Sequence, residues 1–102
     1  MANQDIFTAL ADPTRRDVFE HLTRAPSSVS ALAGKLPVSR PAVSQHLKVL
    51  SDAGLVTVRA EGTRRIYAAD PARLDNLRRW IDQMWGDALA SFAKAAEKES
   101  RK

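Results

Sequence analysis

The chain has 102 residues, 44% hydrophobic and 27% charged, which suits one globular domain with one core and excludes a largely disordered chain. It has no cysteine, so disulfides, thiolate metal sites and thiol redox switches are excluded together. The net charge is +4, and the whole excess lies between Lys35 and Arg65, where Lys35, Arg40, Lys48, Arg59, Arg64 and Arg65 are opposed only by Asp52 and Glu61. Charge gathered in this way is the footprint of a polyanionic partner.

The opening stretch MANQDIFTALADPTRR has no basic lead and no long apolar run, so no signal peptide is expected. No stretch is apolar for long enough to span a membrane, and a cytoplasmic protein is the expectation. A first helix is predicted at about 3–11 with Ile6, Phe7 and Leu10 inward. Asp12-Pro13 supplies an N-cap and a proline at the first helical position, starting a second helix at 13–24 that buries Val18, Phe19 and Leu22. A third, about 29–36, is capped by Ser28 and buries Leu32, Ala33 and Leu36. The fourth begins after Ser39, tolerates Pro41 in its first turn and ends at Gly54, a good residue for the position after a helix.

The period then changes. LVTVRA and RRIYAA alternate on either side of a short EGT turn, which reads as a hairpin. Asp70-Pro71 restarts a helix, carried to about Lys98 by Leu74, Leu77, Ile81, Met84, Ala88 and Phe92, with Trp80, Trp85 and Leu89 widening the stripe. Gly86 within it costs about 1 kcal/mol relative to alanine and marks either a close helix approach or a bend. Residues 1–98 are expected to form the single domain and 99–102 a disordered tail.

In the fourth helix Val43, Leu47 and Leu50 form one buried stripe, and Arg40, Pro41, Ser44, Gln45 and Lys48 occupy the opposite side. Glutamine pairs bidentately with adenine and arginine with guanine, while serine and lysine hold phosphates. Two short helices joined by a turn (about 29–53), followed by a basic hairpin (about 55–69), make a winged helix-turn-helix. The predicted class is mainly α with a small β-hairpin.

ALADPTRRDVFEHL, PVSRPAVSQHLKVLSDAGLV and RAEGTRRIY together resemble the ArsR/SmtB family of bacterial winged-helix repressors over about residues 5–70. The most specific part is the S-x-H-L-x-x-L-x-x-A-G-L-V spacing from Ser44 to Val56. The resemblance implies a homodimer formed by the first and last helices, with Ile6, Leu10, Leu74, Leu77, Ile81, Met84, Trp85, Ala88 and Phe92 at its interface. It also implies an inverted-repeat operator in double-stranded DNA and repression of the protein's own or a neighbouring operon. By position it assigns Ser39, Arg40, Ser44, Gln45, His46 and Lys48 to the DNA-reading helix, and Arg59, Thr63, Arg64 and Arg65 to the wing. A dimer that neutralises about 8–12 phosphates would show a slope of log K against log salt of about −7 to −11.

Many relatives sense metals through a cysteine pair in the third helix or through Asp/His/His/Glu sets on the last. Here SSVSALAGKL has no thiol, and the last helix offers Asp75, Asp82, Asp87 and Glu97 without a histidine. Carboxylates alone hold zinc or copper poorly, so no metal and no cofactor is expected. An organic effector, sequestration, or repression set by abundance all stay open. Trp80 and Trp85 read as core and interface, with an aromatic-lined effector pocket as the alternative. His46, beside Leu47, reads as packing or anchoring backbone, with a DNA phosphate contact as the alternative, and His21 reads as a surface or half-buried side chain. No Ser/His/Asp grouping, phosphate loop or metal motif appears, so an enzyme is not expected. The rival reading is a winged-helix protein–protein adaptor, which has no use for the basic patch. RNA binding would want several aromatics on a basic sheet, where Tyr67 stands alone.

Overall fold

The starts of the last four predicted helices are made by their caps. The computed structural model of the protein describes residues 2–100. Helices α1 (Ala2–Ala11), α2 (Pro13–Arg24), α3 (Val29–Lys35) and α4 (Arg40–Asp52) precede strands β1 (Val56–Glu61) and β2 (Arg64–Ala69), and α5 (Pro71–Ser100) ends the fold. Asp12, Ser28 and Ser39 accept the backbone N–H of Arg15, Ala31 and Ala42 at 2.9, 3.2 and 3.3 Å. These bonds satisfy donors that a helix start otherwise leaves unpaired. Asp70 does the same for Ala72 and Arg73 at 3.0 and 3.5 Å.

The α1–α2 corner is closed from the other side. Arg15 donates through Nε to the Ala9 carbonyl and through Nη2 to that of Thr8, and Arg16 donates to that of Leu10. The last carbonyls of α1 thus receive two cationic donors, the charge that the negative end of a helix dipole favours. This gives the paired arginines of DPTRR a structural task rather than one at a ligand.

The core holds Ile6, Ala9, Val18, Phe19, Leu22, Leu32, Val43, Leu47, Leu50, Leu55, Val56 and Leu77. Each fully buried aliphatic side chain contributes about 1.5–3 kcal/mol. Ile6, expected at the dimer interface, is 0% exposed, because α1 turns Ile6 and Ala9 inward against the protomer's own core. Phe7, expected inward, is instead 44% exposed. Its ring meets that of Trp80 edge-on, with centroids 5.3 Å apart and planes at 60°. Ala33 and Leu36 are only half-buried, since the seven-residue α3 sends just Leu32 fully into the core.

β1 and β2 pair antiparallel from Val56 opposite Ala69 to Glu61 opposite Arg64. The turn is therefore Gly62-Thr63, one residue tighter than EGT. Gly62 has φ 65°, and a positive φ at the first central position alone is the pattern of a type II′ hairpin. Ser27 and Tyr67 exchange backbone hydrogen bonds at 3.0 and 2.9 Å, which ties β2 to the α2–α3 link.

α5 leaves the body. Leu77 is buried and Leu74 and Ile81 pack against the core, but every residue from Asp82 to Glu99 is exposed. The radius of gyration, 18.5 Å, exceeds the roughly 13 Å of a compact chain this long. Of the expected tail, Glu99 and Ser100 remain helical, and residues 101–102 lie outside the described residues.

α4 ends in a paired turn. Gly54 N–H donates to the Ser51 carbonyl and Leu55 N–H to that of Leu50, both at 2.9 Å, with Gly54 at φ 78°. This is a Schellman motif, sealed by the buried pair Leu50 and Leu55. Gly54→Ala is expected to cost about 1–2 kcal/mol from the left-handed backbone alone. It should lower the urea midpoint while leaving the slope of the unfolding transition unchanged.

Candidate nucleic-acid interface

Burial on one side of α4 decides what the other side presents. Val43, Leu47 and Leu50 are buried, which leaves Arg40, Pro41, Ser44, Gln45 and Lys48 exposed. Pro41, Ser44, Gln45 and Lys48 follow one another at i, i+3, i+4 and i+7, a stripe along the helix. Ser39 is exposed too, but its hydroxyl is taken by the cap on Ala42.

The wing joins this face. Ser30 of α3, Ser44 of α4, and Thr63, Arg64, Arg65 and Tyr67 of the hairpin line one cleft of about 320 Å³. Thr63 and Arg65 are exposed there. Arg64 is engaged: its Nη2 donates to Ser28 Oγ at 3.2 Å, the same oxygen that caps α3. Arg59 forms an exposed pair with Glu61 at 3.5 Å, a contact worth little in water. Ser30 was missed by sequence reasoning, since nothing in its local pattern reveals that the hairpin folds over α3.

His46 is half-buried between the exposed stripe and the buried one. It bears on the N-cap of α2: the Asp12 carboxyl is held below its ordinary range by the Arg15 backbone N–H, with the charges of Arg15 and His46 acting in the same direction. His21 lies with Nδ1 3.0 Å from the Asp17 carbonyl, one turn back in its own helix. Among the described residues no group of three or more His, Asp or Glu is placed to hold a metal ion. None of the described helices is long and apolar enough to cross a membrane.

Exposed polar side chains on α4 that suit base edges, a basic wing that shares a cleft with Ser44, and a buried stripe that fixes α4 are the parts of a DNA-reading module. A family described as "Helix-turn-helix domain" matches residues 10–59. An HTH-type transcriptional regulator of Mycobacterium tuberculosis is 53% identical over 91 residues, covering 89% of this chain and 85% of the relative. The chain belongs to the ArsR/SmtB family of winged helix-turn-helix transcriptional regulators. An ArsR-like transcriptional regulator from Rhodococcus sp. RHA1 superposes with a TM-score of 0.80 at 36% identity, covering 93% of this chain and 92% of the other. The solution structure of a homodimeric winged helix-turn-helix DNA-binding domain from Mycobacterium bovis gives 0.69 at 25% identity, covering 86% and 82%.

As an ArsR/SmtB protein the chain is a DNA-binding transcriptional regulator. Its α3, the segment in which many ArsR/SmtB relatives carry a cysteine pair, is VSALAGK.

Proposed function

We propose that the protein is a cytoplasmic homodimeric repressor that binds an inverted-repeat operator near its own gene or a neighbouring operon without sensing metal. The reading rests on one arrangement: each protomer carries a basic, polar reading face on α4 and the wing, and a bare apolar stripe on α5. Met84, Trp85, Leu89 and Phe92 are all large, apolar and exposed, and two copies of the stripe would cover one another. The homodimeric Mycobacterium bovis neighbour supports the same reading. Leu10, Leu74 and Ile81, half-buried at the base of the stripe, would extend the interface, and Ala88 lies within it. Leu77, already in the core, would support it from beneath.

In this reading Arg40 and Gln45 reach base edges, and Ser44, Lys48, Thr63 and Arg65 hold phosphates. Ser39 and Pro41 shape the first turn of α4, His46 braces α4 against α2, and Arg64 sets the wing. Arg59 lies at the margin, shared with Glu61.

Anisotropy of labelled DNA from upstream of the gene, against a scrambled fragment of equal length, tests the proposal. Preferential binding to the upstream fragment is expected, unchanged by zinc or by a chelator. A tenfold response to either, about 1.4 kcal/mol, would overturn the metal-independent part. Absence of binding at low salt would favour a protein–protein adaptor instead.

A further inference from the structure

The end of α4 and the start of α5 meet in a single joint. Leu55, which follows the Schellman glycine, accepts the Asp70 N–H at 2.9 Å, and Asp70 is the residue that caps α5. Arg73, in the first turn of α5, lies across Gly54. A β-carbon placed on that glycine would sit 2.6 Å from Arg73 Nη2, 2.8 Å from Nε and 3.0 Å from Cζ. The Nε–Nη2 edge of the guanidinium rests against the glycine, which leaves room for it only by having no side chain. Arg73 is half-buried, whereas Arg78 and Arg79 further along the helix are exposed and paired with Asp75. A cation here also faces the negative end of the α4 dipole.

We propose that Arg73, packed edge-on against Gly54, is a positioning residue that fixes the angle between α5 and the reading helix, and so fixes the half-site spacing the dimer accepts. This inference rests on the two-half-site reading above and deepens it. α4 addresses DNA and α5 carries the stripe that would meet the second copy, so the angle between them sets how far apart two reading helices stand. The middle of α5 lies roughly 20 Å from its first turn, so a tilt of about 10° moves it by roughly 3.5 Å. That is about the rise of one base pair. A planar, permanently charged fork resists such tilting better than a flexible ammonium.

The test uses full-length wild type, Arg73→Gln and Arg73→Lys, each mixed with a duplex pool in which two inverted copies of a randomised half-site are separated by a variable number of base pairs. Bound duplexes are sequenced, and dimer mass is followed by sedimentation. Wild type is expected to enrich one separation, with neighbours one base pair away depleted about tenfold. Arg73→Gln should spread its enrichment to within about threefold across adjacent separations while keeping the same half-site sequence and the same dimer mass. Arg73→Lys, which keeps the charge but not the flat fork, should give an intermediate width and reads the same profile should glutamine disturb folding. A glutamine profile as narrow as that of wild type overturns the proposal. A wild type that sediments as a monomer, or that selects single half-sites, overturns the dimer reading on which the proposal depends.

Discussion

Replacing Trp85 and Leu89 together by glutamate is expected to turn the proposed dimer into monomers and to lower operator affinity by about a thousandfold. Trp85 is 59% exposed and Leu89 62%, so the change removes nothing from the protomer's own core. Two copies of each side chain would be buried at a symmetric interface, at about 1.5–3 kcal/mol per side chain. Their sum approaches the roughly 8 kcal/mol of a micromolar association. Four carboxylates facing one another would oppose what remains. A dimer engages its second half-site at a high effective concentration, an advantage worth about 10²–10⁴ in affinity, and the variant forfeits it. Sedimentation should show the mass of one chain, with the circular dichroism and melting of the α1–α4 body preserved. A variant that stays dimeric would move the interface off this part of α5.

Local chemistry made most of the fold legible. Asp12, Ser28, Ser39 and Asp70 announce helix starts because capping is decided within three residues, and Gly54 announces the end of α4 because the left-handed backbone there needs glycine. The exposed face of α4 was legible for a related reason: on a 3.6-residue period, fixing Val43, Leu47 and Leu50 inward fixes Ser44, Gln45 and Lys48 outward. The hairpin turn was one residue tighter than its sequence suggested, since Glu61 has polar composition but pairs with Arg64 in the ladder.

What stayed hidden depends on contacts far apart in sequence. A stripe tells which residues are apolar and not what covers them. Ile6 and Phe7 are neighbours on α1, yet one goes to the core and the other out to Trp80. Arg64 and Arg65 are adjacent and identical in type, yet Arg64 donates to Ser28, 36 positions away. The Arg73 guanidinium meets Gly54 only because α5 begins where α4 ends. No periodicity or turn propensity encodes such meetings, and they are what divide one basic cluster into side chains left exposed and side chains engaged within the fold.

That division sets the salt dependence. With Arg40, Lys48 and Arg65 as firm phosphate or base contacts in each protomer, and Lys35 and Arg59 at the margin, a dimer releases about 6–10 counterions and log K should fall with log salt at a slope of about −5 to −9. Affinity is then expected to drop by about 10³–10⁵ between roughly 50 and 200 mM salt. Arg65→Ala removes one free cation per protomer and should flatten the slope by about 2. Arg64→Ala should behave differently, because its guanidinium is spent on Ser28 Oγ at 3.2 Å. It should weaken binding through a wing that no longer rests on α3, and change the slope by less than about 1. Anisotropy titrations of both variants across a salt series separate the two roles. Equal flattening by both would mean that Arg64 leaves Ser28 for the phosphates when DNA binds, making the Ser28 contact a resting place of the free protein.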